Sequence, residues 1–167
     1  MLEERKQALL PLVQTAVETF LKEHPDLSYY CFAFDCNAEY AEINLCFNTE
    51  ADFAQTLERY QSGPYGDSYR SEEDILDLRY NPGDWQYQCF ATFYVLEEEA
   101  LAALYGEDED RLLAEMMRFN CELLALFCKT DTFARIPKTE NFRVLCIDHD
   151  EDVAAALERT DRCVCTA

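Results

Sequence analysis

Four glycines and five prolines in a chain of 167 residues are too few for a repetitive or loop-rich protein. Cationic side chains are scarce as well: fourteen Lys and Arg face thirty-four Asp and Glu, a formal net charge of −20. Phosphate groups are held by Lys and Arg, so this balance argues against nucleic acid as a partner. The same sign disfavours docking to an anionic membrane. No apolar run approaches the roughly 18 residues that a membrane span needs. There is no G-x-S-x-G, no Walker loop and no G-x-G-x-x-G, and the two histidines show no zinc spacing. These absences leave catalysis unsupported: no catalytic or metal-ligating residue is assigned and no cofactor is implied.

Apolar material is plentiful. A hydrophobic share of 49% and an aromatic share of 13% can offset the ordering entropy of a folded chain. The length suits a single domain over residues 1–167, and no linker or repeat divides it. Nine cysteines cannot all pair within one chain, and most lie in apolar runs such as "YYCFAF", "INLCF" and "RVLCI". Buried thiols behave there as small hydrophobes. The opening "MLEERKQALLPLV" does not read as a signal peptide, because its apolar run is short, contains Pro11 and follows acidic residues. The expectation is a cytoplasmic protein with reduced thiols.

Periodicity predicts the elements. Leu9, Val13, Ala16, Val17, Phe20 and Leu21 form a helical stripe that His24-Pro25 ends. "SYYCFAFDC" and "YAEINLCFN" read as two strands of an antiparallel hairpin, the second alternating apolar and polar, so that the pair is half covered. Asn48 or Thr49 caps a helix carrying Phe53, Leu57 and Tyr60. The stretch "QSGPYGDSYRSEED" is the most loop-like in the chain. In "YNPGDW", Asn81 can cap, Pro82 suits a first helical position and Asp84 falls at N3. Trp85, Cys89, Phe93 and Leu96 then continue an apolar stripe, so a helix is expected from Pro82, although "CFATFYV" also suits a strand. "EDEDRLLAEMMRFNCELLALFCK" is a central helix, "NFRVLCIDHD" a late strand, and "DEDVAAALERT" a closing helix capped by Asp150. The final "DRCVCTA" is expected to fray.

Several stretches are candidates for function. "DHDED", Asp148 to Asp152, offers carboxylates and an imidazole to a metal, but without metal-ligand spacing it reads better as a strand end entering an acidic helix start. Cys163 and Cys165 form a C-x-C with no partner pair. The run from Leu96 to Asp110 has seven carboxylates and no basic residue. A solvated helix face explains it, as does a docking surface for a basic protein.

At these residues the chain resembles the domain-of-unknown-function family 4303, small bacterial proteins. The resemblance rests on "YYCFAFD" after the first helix, "CFNTEADF", "LRYNPGDWQY" and "FRVLCIDHDED", and it spans most of the chain. Asn81 and Gly83 stand where the resemblance leads one to expect Ser and Ala. It implies no settled catalytic residues. Some relatives look like parts of toxin–immunity systems, which implies a small, acidic, inert protein covering a basic toxin.

The expected fold is α+β, with an antiparallel sheet made of the N-terminal hairpin and a late strand, and helices packed on one face. The expected function is a non-catalytic, immunity-like module that binds a basic protein such as a toxin. The candidate binding residues are Tyr65, Tyr69, Tyr80, Asp84, Trp85, Glu97, Glu98, Glu99, Asp108 and Asp110, with exposed carboxylates around Asp67 to Asp77 or Glu97 to Asp110. The alternative is an enzyme or ligand-binding domain with a pocket near Tyr80–Trp85.

Overall fold

The computed structural model describes residues 1–166. The chain runs α1 (Leu2–Glu23), β1 (Tyr29–Asn37), β2 (Glu42–Asn48), α2 (Glu50–Gln61), α3 (Glu72–Arg79), β3 (Tyr87–Tyr94), α4 (Glu98–Tyr105), α5 (Glu109–Phe127), α6 (Asp131–Ala134), β4 (Lys138–Asp148) and α7 (Val153–Thr166). Short 3-10 turns cover Ala38–Tyr40, Gly66–Tyr69 and Pro82–Asp84. No described helix is long and apolar enough to cross a membrane.

The sheet has four strands in the order β3-β2-β1-β4. β1 and β2 pair antiparallel, as the sequence leads one to expect, with Phe34 opposite Leu45. A 3-10 turn and Ala41 in the left-handed region (φ 51) join them, in place of a tight hairpin turn. β3 adds to β2 antiparallel, but β4 lies parallel to β1, with Phe34 opposite Cys146. The sheet is therefore mixed, not wholly antiparallel. A parallel partner requires a long crossover, and α5 and α6 lie in that connection.

Both faces of the sheet carry helices, which corrects the one-sided packing expected. On the first face Phe32, Phe34, Ile43, Leu45 and Phe47 meet Leu9, Val13, Val17 and Phe20 of α1 and Met116, Phe119, Leu123 and Phe127 of α5. On the second, Tyr30, Cys31, Ala33, Cys46, Leu145 and Ile147 meet Phe53 of α2, Leu78 of α3 and Val153, Ala156 and Leu157 of α7. Phe34 and Ala33, successive residues, lie in opposite clusters and are both fully buried, as the period of two along a sandwiched strand requires. Toward the β3 edge the second face is less fully covered, around Asp35, Glu42 and Asn44 and at the exposed Thr92 and Tyr94.

The helix expected from Pro82 is a strand. The capping chemistry is present: Asn81 Oδ1 accepts the Gly83 amide at 3.3 Å, and Trp85 N–H closes on Pro82 O. It supports one 3-10 turn, after which the chain runs extended. β2 presents an open edge, and Tyr87, Ala91 and Phe93 pair with Phe47, Leu45 and Ile43 along it. Closing that ladder satisfies backbone groups a separate helix would leave open on β2. Thr49, not Asn48, caps α2, accepting the Asp52 amide. Asp152 Oδ1, not Asp150, accepts the Ala155 amide at the start of α7. α7 continues through Thr166 where fraying was expected, with Thr160 bonded to Ala156 O and to the Cys146 amide; Ala167 lies outside the described residues.

Candidate functional site

Where α3, the Pro82–Asp84 turn and the β4–α7 connection meet over the less covered corner of the sheet, they enclose an open cleft of about 830 Å³. Eight carboxylates line it: Asp35, Asp74, Asp77, Asp84, Asp148, Asp150, Glu151 and Asp152. Its lining includes His149, Tyr69 and Gln88 but no Lys or Arg.

The local architecture explains why these groups point there. Asp74 occupies the first turn of α3, where Ser71 caps the helix and bonds the Asp74 side chain and amide. Asp84 ends the 3-10 turn and accepts hydrogen bonds from Tyr60 Oη and, at 2.8 Å, from Asn81 Nδ2. At the end of β4, Asp148 Oδ1 accepts the Ala38 amide at 2.9 Å and His149 N–H donates to Cys36 O, which ties this loop to β1. Asp150 holds a left-handed backbone (φ 63), a conformation Asp tolerates better than most residues. Glu151 accepts from the Asp148 amide and is clamped by Arg159, which also donates to Cys146 O. Five of the eight carboxylates are thus held by the protein's own donors.

Asp35 is different. It extends from β1 at the cleft floor, half-buried, and no donor among the described residues bonds its carboxylate. Burial pushes its pKa up to about 6; Glu42 and Asp148 add to the rise and His149 opposes it. Asp77 is also raised, by partial burial and then by Asp152 and Asp74. Crowded carboxylates that lack cations disfavour one another's charge, so the cleft is primed for positive charge from outside.

Tyr69 and Asp84 of the sequence-derived set line this cleft. Tyr65 stands apart and is 76% exposed. Tyr80 and Trp85 are 6% and 3% exposed and pack around Tyr30; Trp85 Nε1 donates to Arg79 O at 3.0 Å. Trp85 also borders a smaller polar cleft of about 600 Å³ with Asp52, Arg59 and Gln88. Glu97, Glu98, Glu99, Asp108 and Asp110 are exposed elsewhere, about α4 and the start of α5. Asp108 is consumed as the α5 cap, accepting the Arg111 amide. Glu97 and Glu98, with Glu39 and Glu109, surround a groove of about 500 Å³ floored by Leu96, Leu101 and Leu112 and flanked by the exposed Tyr40 and Tyr94.

Sequence reasoning did not single out Asp35. Its signal is a lone carboxylate inside "CFAFDC", a strand otherwise buried at nearly every position. It also did not join Asp148 to Asp152 with Asp74, Asp77 and Asp84, since only the parallel pairing of β4 brings them together. Among the described residues, the donors close enough to share one metal ion are Asp35, Cys46 and Cys89, and none comes from the Asp148 to Asp152 run. All nine cysteines are outside disulfides.

No curated protein and no solved structure matches the chain. A profile of the family described as Domain of unknown function (DUF4303) does match, over residues 9–162, from within α1 into α7. The chain belongs to that family.

Proposed function

We propose that this protein is a non-catalytic binding module that receives a basic protein in the acidic cleft. We further propose an immunity-like role in a bacterial cytoplasm, in which the partner is a toxin whose cationic working surface the cleft covers. The observation that carries this reading is the convergence of eight carboxylates, with no Lys or Arg among them, on one concavity of a chain with net charge −20. Such a surface accelerates encounter with a cationic partner and rejects anionic ones. The groove beside Tyr40 and Tyr94 offers a second contact of the same sign, with apolar anchors.

The test is affinity capture from the native cell with the wild type and with a variant carrying Asp77→Asn, Asp150→Asn and Asp35→Asn. The expected result is a basic protein retained by the wild type, released by added salt, and lost from the variant. An unchanged captured set would overturn the reading. A second reading, a small-ligand or catalytic pocket, draws on Asp35, whose pKa near 6 suits proton transfer. It moves the pocket from Tyr80 and Trp85, which are buried, to the cleft in front of them. Saturable binding of a small metabolite that Asp35→Asn abolishes would favour it.

A further inference from the structure

Three adjacent strands each contribute one donor to a constellation beside the cleft floor. Asp35 on β1, Cys46 on β2 and Cys89 on β3 place a carboxylate oxygen and two sulfurs within 4.8 Å of one another. Cys46 is buried and Cys89 exposed, so the group has a deep end and a mouth open to solvent.

The backbone is shaped to make this group. Cys89 adopts φ 50, in the left-handed region that disfavours residues with a Cβ, at the register break between the Leu45 and Phe47 pairings. The bulge aims the Cys89 amide at Cys46 Sγ, 3.2 Å away. Burial pushes both thiols up, and the Cys89 amide opposes that rise at Cys46, so it is a bound cation that would bring the sulfurs to the thiolate form that ligates metals. Asp35 brings a carboxylate free of hydrogen bonds among the described residues.

We propose that Asp35, Cys46 and Cys89 form a binding site for a thiophilic divalent cation of the zinc type, with water completing the coordination. Two sulfurs and one oxygen select such an ion over calcium or magnesium, which require oxygen ligands. Donors of a tetrahedral zinc ion lie about 3.3–3.8 Å apart. The present spacing, within 4.8 Å, is about an ångström wider than that range. The neighbouring carboxylates raise the local concentration of any cation. The site does not depend on the cleft receiving a protein.

Cobalt(II) added anaerobically to the reduced, chelator-treated full chain tests this. The expected result is one equivalent bound, thiolate-to-cobalt charge-transfer absorption and the intense visible bands of a tetrahedral site, all bleached by zinc. Cys89→Ser, at an exposed position, should weaken zinc binding by more than about tenfold and roughly halve the charge-transfer intensity. Asp35→Asn should weaken zinc while leaving that intensity in place. Circular dichroism establishes that both variants fold. Cobalt bound without thiolate absorption, or a Cys89→Ser variant with unchanged affinity, would overturn the proposal. A chain that forms a Cys46–Cys89 disulfide and takes up no metal after reduction would do so too.

Discussion

Adjacent tyrosines on β1 should respond in opposite directions to loss of the same atom. Tyr30 and Tyr29 are both fully buried, on opposite faces of the sheet. The Tyr30 hydroxyl donates to Arg79 O at 2.6 Å and accepts from Asn48 Nδ2 at 3.1 Å. Tyr30→Phe deletes both bonds. Arg79 O keeps the Trp85 indole N–H, but Asn48 Nδ2 is left unpartnered inside the protein, beside an Asn48 Oδ1 that already has no partner. One lost bond at about 1 kcal/mol and one stranded donor at about 1–2 kcal/mol give a destabilisation of about 2–3 kcal/mol. The Tyr29 hydroxyl has no hydrogen-bond partner among the described residues, so Tyr29→Phe removes a desolvated group at no loss and should stabilise by about 1 kcal/mol. Urea unfolding followed by Trp85 fluorescence and by circular dichroism measures both, with unchanged denaturant slopes. Alkaline pH sharpens the contrast. Burial pushes the Tyr29 phenol up to about 12, with Tyr87 adding to the rise. An unfolded tyrosine ionises near pH 10, so the contribution of this group is complete below about pH 10 and is lost as pH rises through about 12. Tyr29→Phe should flatten that loss. A Tyr29→Phe variant destabilised as much as Tyr30→Phe would refute the hydrogen-bond accounting.

Other consequences follow from the β4–α7 connection. Asp152→Ala removes the acceptor for the Ala155 amide and should lower stability by about 1 kcal/mol, read from the urea midpoint. Glu151→Ala strands the half-buried Arg159 guanidinium; a loss of about 2 kcal/mol is expected, and Arg159→Met in the same background should recover part of it. Asp77→Asn removes a partly buried charge and relieves repulsion from Asp152 and Asp74, so it should raise the thermal midpoint at low salt and raise it less at about 1 M salt, where charges are screened within about 3 Å.

Much of this fold is legible because it is written locally. The stripe of Leu9, Val13, Val17 and Phe20 identifies α1, and alternation at Ile43, Leu45 and Phe47 identifies β2. β3 misleads because two local signals conflict: "NPGD" carries real capping chemistry, while "CFATFY" follows with strand-forming residues. The open edge of β2 decides between them, and that edge is a tertiary fact. The parallel placement of β4 leaves no local mark either, since "VLCI" would suit a neighbour running in either direction. The cleft inherits this difficulty. Asp35 is unremarkable in sequence, and although the Asp67 to Asp77 and Asp148 to Asp152 stretches stand out separately, nothing local joins them; the docking of β4 beside β1 does. The acidic run of α4, conspicuous in sequence, spreads over an exposed helix and cap.

The parallel pairing also bears on how the chain is made. The sulfurs of Cys36 and Cys146 lie 3.9 Å apart across β1 and β4, but the two residues are 110 apart in sequence. During synthesis, β1 and β2 can pair as soon as they emerge, whereas the other edge of β1 waits until Lys138–Asp148 is out. That edge belongs to the most apolar strand in the protein and exposes unpaired backbone groups throughout the delay. Refolding should therefore be slow for a protein this size, with sheet closure late.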